Sequence, residues 1–495
     1  MVIKLSMVLL FVVISIGAGF YSKRSTSGVE GFVLGGNTVG PWLSAFAYGT
    51  SYFSAVIFVG YAGQFGYKFG ISSTWVGLGN ALLGSFLAWA VLGRRTRIMT
   101  RTLKSSTMPD FFGKRFNSKV IKIAASGIIF VFLIPYTASL YNGLSRIFGI
   151  AFDVDYTVCI LFMAVLTAIY VVVGGYLATA LNDLIQGIIM IAGIIATVAA
   201  VLSKNGGFTE AIRRLAMVED AAVSTQPGVF ASFFGPDLIT LFSVIILTSL
   251  GTWGLPQMVH KFYAIKDEKA IKAGTVISTI FATIVAGGSY FMGGFARLYD
   301  IDLKNGYDSI VPTMIESLSD VLIGLVAMLV LSASMSTLSS LVLTSSSTLT
   351  LDLVKGNIIK NMSEKRQLRW IRWLVVVFVV ISVVLAVIQY RFKVAFIAQF
   401  MGISWGALSG SFIGPFIYGL FWKRTTSSSV LASFIFGVGF TTANMFLKII
   451  PSSVMAGAVT MAASLIIVPL VSLMTKRVPD DVIEHSFSDV KALLD

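Results

Sequence analysis

Residues 331–350 read LSASMSTLSSLVLTSSSTLT; twelve of the twenty carry a hydroxyl and none carries a charge. On a helix, Ala333, Ser336, Thr337 and Ser340 share one face because their spacings are three and four, and Ser339 lies beside them. A small, hard cation needs several oxygen ligands. Neutral hydroxyls and main-chain carbonyls can supply them in a dry site. The same residues also suit plain helix packing, where Ser and Thr let backbones approach and bond modestly across the interface. A carboxylate sharpens the choice. Asp183 stands in VVVGGYLATALNDLIQGIIM, at the inner end of an apolar run. With Gln186 it forms an Asp-x-x-Gln pattern that caps a helix. A carboxylate at that depth is equally an ion-pathway candidate.

Other chemistries find no support. No pairing of nucleophile and base, no metal-hydrolase spacing and no phosphate-binding loop is present, so an enzyme is not expected. Cys159 is the sole cysteine and lies within an apolar run, which excludes an intramolecular disulfide and a cysteine-based metal site. The middles of the apolar runs hold almost no Asp, Glu or Lys; His260 falls at the end of one and His485 in the tail. A proton-driven carrier needs a titratable relay in its bundle. None is visible, and a metal cation is therefore the expected driving ion, with no organic cofactor.

The elements that must position these residues are membrane helices. Of the 495 residues 56% are hydrophobic and 12% charged, and mean hydropathy is +0.87. Apolar stretches of about 20 residues, enough to cross a bilayer, recur along the chain. Thirteen spans are predicted, near 3–21, 41–67, 71–93, 121–147, 156–175, 184–203, 236–260, 273–297, 318–348, 370–390, 394–421, 427–448 and 452–474. The formal charge of +14 does not indicate a nucleic-acid partner, because the basic residues sit in short loops between spans. With the N-terminus outside, 26 of the 37 Lys and Arg residues face inward, among them Lys23, Arg24, nine from Arg94 to Lys122 and four from Lys261 to Lys272. That asymmetry orients the chain. The outer loops carry Asp153, Asp155, Asp300, Asp302 and Asp308 instead. Lys4 ahead of an apolar run ending in SIGAGF would suit a signal peptide, but Lys23 and Arg24 after it favour an uncleaved helix.

One membrane transport domain covers 1–495. It comprises a peripheral N-terminal helix (3–21), two blocks of five spans (41–203 and 236–421), two peripheral helices (427–474) and a cytoplasmic tail (475–495). The segment FTEAIRRLAMVEDA in the long loop before residue 236 reads as an amphipathic surface helix. Each block opens on an interrupted span. The first has Gly49 and a cluster of hydroxyls at its middle, the second Gly251, Gly254 and Pro256. Paired discontinuous helices in two halves are the signature of an inverted-repeat transporter.

The chain resembles the sodium/solute symporter family, whose bacterial members include carriers for proline, sialic acid and galactose. The resemblance runs from about Glu30 to Arg424. It rests on GGNTVGPWLSAFAYGTSYFSA, STMPDFFGKRF, GGYLATALNDLIQ, ASMSTLSSLVLTSSS and GLFWKRTT, in that order. It implies an all-α, five-plus-five, leucine-transporter-type core with broken first and sixth core helices, and alternating access driven by sodium. Its common sodium site would use carbonyls of Thr50, Phe53 and Ala333 with the hydroxyls of Ser336 and Thr337. A second site, found in part of the family, would use Asp183, Ser339 and Ser340 and share Ser336. The match weakens at the solute pocket. Proline carriers have an aspartate where Tyr52 stands and aromatic residues where Thr248 and Thr252 stand, although Tyr136 and Pro256 match. The sialate carriers' arginine falls at Tyr136, and the sugar carriers' glutamine at Ile57. The solute is expected among Ser54, Ile57, Asn80, Tyr136, Thr252, Trp253, Pro256 and Gln399.

The sequence therefore points to a multi-pass plasma-membrane symporter that moves sodium and a small organic solute inward. An amino acid such as proline is favoured over a sugar or a sialic acid-like carboxylate. A solute sensor of the same fold would usually carry a signalling domain, and the tail after Lys476 is only about twenty residues. A passive channel would not need paired broken helices and an ion-ligand pattern.

Overall fold

A bilayer core offers no water to unpaired main-chain groups, so only helices or closed barrels cross it. The computed structural model describes residues 2–22, 28–392 and 397–491, and no β-strand occurs among them. Lys23, Arg24, the first three residues of the predicted 394–421 span and the last four of the tail lie outside the described residues.

In chain order the spanning helices are α1 (Val2–Ser22), α2 (Pro41–Tyr52), α3 (56–69), α4 (74–102), α5 (Lys119–Phe152), α6 (156–174) and α7 (176–204). They continue with α8 (Leu238–Gly254), α9 (Pro256–Ala264), α10 (268–293), α11 (Asp320–Val354), α12 (Glu364–Phe392), α13 (Ile397–Phe421), α14 (Ser427–Leu447) and α15 (Ser453–Met474). Together α2 and α3 form one interrupted span, and α8 and α9 another, so among the described residues each of the thirteen predicted stretches is mostly helical. The starts follow from capping. Ser118, Asp155, Asp237, Asp267, Ser319 and Ser452 each accept a hydrogen bond from a first-turn amide of the helix they precede, worth about 1 kcal/mol apiece. In the long loop, Phe208–Ala216 is helical as expected, while the remainder of the expected amphipathic piece leaves the helix.

Burial ranks the helices. The apolar window of α11 is 78% buried and that of α13 83%, against 33% for α14, so the hydroxyl-bearing helix runs through the middle of the bundle. Small residues bring backbones together around it. A Cβ on Gly66 of α3 would run into the carbonyl of Gly293 on α10. The second half of α11's hydroxyl run turns out to serve its own helix: Ser346, Ser347 and Thr348 each donate to a carbonyl three or four residues back. Ser126 of α5 reaches the Thr348 carbonyl at 3.1 Å.

The end of α11 is fastened by charge. Lys122 lies 2.7 Å from Asp110 and 3.2 Å from Asp352, and Thr107 donates to Asp352 at 2.6 Å. Thr107 also caps the short helix Met108–Arg115. The STMPDFFGKRF motif therefore works as a clasp on α11. Asp308, expected as a loop charge, is buried beside Arg146 and accepts from the Ile397 amide at the start of α13. Burial lifts its carboxyl above the usual range, with Arg146 opposing.

The junction of α6 and α7 rests on one residue. Gly175 has φ +59°, and a Cβ there would lie 2.7 Å from the Phe32 carbonyl. Gly175→Ala should lose about 1–3 kcal/mol through strain at positive φ. Thermal unfolding of the purified chain should show a lowered midpoint; an unchanged midpoint would mean that the bend does not depend on glycine.

Candidate functional site

The first interruption is set by backbone, not by Gly49. The α2 helix continues through Gly49 and ends at Phe53, which is extended (φ −98°, ψ 97°). The last carbonyls of a helix lack an intrahelical partner. Gly49's carbonyl takes the Phe53 amide, and Thr50's is met from across the bundle. Ser336 donates to it at 3.1 Å and Thr337 at 3.2 Å. The same two hydroxyls lie 3.2 and 3.0 Å from the Ala333 carbonyl. Four oxygens from Thr50, Ala333, Ser336 and Thr337 therefore converge in a fully buried place, and Phe53 stands at the break itself. The second interruption falls at Leu255 (ψ 124°), with Pro256 as the first residue of α9 and a bend of 46°. Proline has no amide hydrogen to leave unpaired there.

Asp183 corrects an expectation. It is not a helix cap, because α7 has already begun at residue 176 and Asp183 lies inside it, fully buried, with both carboxylate oxygens without a hydrogen bond. Its partner is Lys261 of α9, 3.9 Å away and itself 2% exposed. Lys261 donates to Ser340 at 2.7 Å, and Ser340 lies 2.7 Å from the Ser51 hydroxyl of α2. Ser339 instead donates to the Ser336 carbonyl at 2.8 Å. The sequence alone puts Lys261 at the head of an inward loop and shows no titratable pair in the bundle. Both points are wrong: Lys261 and Asp183 form such a pair. Lys261 was obscured because it closes an apolar run and precedes three more lysines.

At 4 Å and an effective dielectric near 20 the attraction is about 4 kcal/mol. Desolvating two ions costs several kcal/mol each. The pair thus adds little net stability, yet losing one partner would strand a buried charge.

The expected solute residues divide. Ser54, Ile57 and Tyr136 are buried about the first break, and the Tyr136 hydroxyl has no partner. Asn80 is buried as well; its carbonyl oxygen accepts from Thr248 at 2.8 Å and Ser249 at 3.0 Å, leaving its amide nitrogen unpartnered. Thr252 and Trp253 are committed to α4, bonding the carbonyls of Gly84 and Leu83. Gln399 is exposed near the start of α13. Pro256 shapes the second break.

One aromatic lies outside the expected set. Trp405 of α13 is buried, packs edge-on against Tyr136 at 5.8 Å, and lies 6.4 Å from Tyr52. Tyr52 crosses to α8, donating to the Thr248 carbonyl at 2.5 Å. The signal for Trp405 was Gly251, where a Cβ would meet the indole at 2.6 Å. The aromatic that proline carriers lack at position 52 is thus not an open pocket wall but a strut between the two broken spans.

Comparison with known proteins gives the family and the fold. The family model for the sodium:solute symporter family matches residues 32–437. The osmoregulated proline transporter OpuE of Bacillus subtilis is 27% identical over 426 residues, covering 85% of this chain and 84% of that protein. A sodium/proline symporter of Haemophilus influenzae is 28% identical over 454 residues (88% and 86%), and one of Staphylococcus aureus 29% over 444 (87% and 83%). Among solved structures, a sodium-coupled sialic acid symporter in a substrate-bound outward-open state aligns with a TM-score of 0.74 at 16% identity, over 96% of this chain and 99% of that one. The nucleobase-cation-symport-1 transporter Mhp1 aligns with 0.52 at 12%, over 93% and 98%. These two establish the shared inverted-repeat fold with its two broken helices. With the family model spanning most of its length, this multi-pass membrane protein belongs to the sodium:solute symporter family.

Proposed function

We propose that the chain is a sodium-coupled symporter that carries a small organic solute into the cell. The observation that carries this reading is the convergence of the Thr50 and Ala333 carbonyls with the Ser336 and Thr337 hydroxyls at a helix break. A hydroxyl both donates and accepts. Each can turn from its present carbonyl partner and present a lone pair to a cation, and Phe53's carbonyl at the break would complete the set. Sodium held there would bridge α2 and α11, joining the two blocks in one arrangement.

The solute would lie beside the same break, against Ser54, Ile57, Tyr136 and Trp405, with Asn80 contributed by α4. Unpartnered polar atoms on Tyr136, Asn80 and Trp405 would find their hydrogen bonds in the solute. An amino acid of the proline kind is favoured by the relatives' names and by Tyr136 and Pro256. The N-terminus would face outside and the C-terminus the cytoplasm, as the basic loops require.

Ser336→Ala and Thr337→Ala should each abolish sodium-stimulated uptake in vesicles while the purified variants, each keeping one donor to the Thr50 carbonyl, stay folded in sodium-free buffer. Undiminished uptake in both would remove the ion-site assignment. Tyr136→Phe should weaken half-saturation by the transported solute about tenfold, as expected when one buried hydrogen bond of about 1.4 kcal/mol is lost. It should leave sodium affinity unchanged. An unaltered half-saturation would place the solute elsewhere.

A further inference from the structure

The residues expected to hold a second sodium ion are Asp183, Ser339 and Ser340 with a shared Ser336, and two of them, Asp183 and Ser340, already face a positive charge. We propose that the Lys261 ammonium is a tethered cation that takes the place of a second sodium, so that this chain couples to one sodium ion per cycle. The inference rests on the symport reading above and deepens it.

Three observations carry the assignment. The Lys261 ammonium makes the contacts that a bound ion would make: 2.7 Å to the Ser340 hydroxyl, 3.9 Å to the Asp183 carboxylate and 5.2 Å over the Tyr176 ring. Through Ser340 it reaches Ser51 at 2.7 Å, one residue along from the carbonyl used by the first ion site. Finally, neither Asp183 oxygen is held by a well-formed hydrogen bond, and besides the neutral Thr50 hydroxyl nearby the ammonium is the group that answers its charge. A buried carboxylate needs such an answer. A sodium ion entering this place would face a fixed ammonium in a poorly screened interior and would compete for a serine oxygen already in use. The first site is untouched, since Lys261 has no bond to Ser336, Thr337 or the Thr50 carbonyl.

The placement also has a mechanical sense. Asp183 is on α7, Ser340 on α11 and Lys261 on α9, the second half of a broken span. A mobile sodium would leave with every cycle. A tethered charge stays, and keeps α9 attached to the ion-binding helix throughout.

The test is equilibrium binding of radiolabelled sodium to the detergent-purified full chain, for the parent and for Lys261→Gln, Lys261→Arg, Lys261→Gln with Asp183→Asn, and Ser336→Ala. The parent should bind one ion per chain, with a Hill coefficient of about 1, and Ser336→Ala should bind none. Removing the ammonium in Lys261→Gln should expose the second place, giving two ions per chain and a Hill coefficient rising toward about 2. Lys261→Arg and the double variant should remain at one. Two ions bound by the parent would overturn the proposal while leaving sodium coupling intact, and this holds even if Lys261→Gln does not fold. A folded Lys261→Gln that still binds one ion would overturn it as well. A parent that binds no sodium would overturn the symport reading itself, and the proposal with it.

Discussion

The structure turns on a helix that stops in the middle of a bilayer. A carbonyl released at such a stop has no water to turn to, and leaving it unpaired costs several kcal/mol. The Thr50 carbonyl is rescued by two hydroxyls on α11. That one rescue explains why α11 is rich in Ser and Thr on this face, why it must lie at the centre of the bundle, and why charge is excluded from it. Oxygens gathered to satisfy a broken helix are also oxygens ready for a small cation. On the proposed reading, structural need and ion binding are met by the same atoms.

Everything else holds that meeting in register. Gly66 and Gly293 let α3 and α10 touch backbone to backbone, which fixes the half-span that follows the first break. Tyr52 ties the same break to α8 by a single hydrogen bond. The clasp of Thr107, Lys122 and Asp110 on Asp352 pins the far end of α11. Lys261 and Asp183 join α9 to α7 with buried charge. Hydrophobic burial alone could not specify these contacts, since lipid tails are as apolar as the helices and packing and polar contacts must choose the partners.

Much of this was legible in the sequence. Span positions followed from apolar length, and the second break from Pro256, whose missing amide marks a helix start. The face formed by Ala333, Ser336 and Thr337 followed from helical spacing. Other features left no local trace. Gly49 drew the eye, yet α2 passes through it unbroken and stops at Phe53, a residue with no special turn chemistry. Lys261 read as a loop cation because sequence shows its neighbours along the chain and not the carboxylate of Asp183 across the bundle. The hydroxyls from Ser345 to Thr348 looked equal to those of the ion face, but they mostly bond their own helix. Trp405 could be found only through the glycine that makes room for it. The proposed solute place is the least legible in sequence, because the residues about it come from the first break and from α4, α5 and α13, far apart along the chain.

The central claim is that the oxygens at the α2 break select sodium. Thermal unfolding of the detergent-purified protein in sodium, potassium or choline chloride tests it most directly, because an ion bound only by the folded state stabilises that state by mass action. The account predicts a midpoint raised by sodium alone, and raised further when one compound from a set of amino acids, sugars and carboxylates is added. Equal midpoints in all three salts would mean that the hydroxyl face of α11 is packing and nothing more.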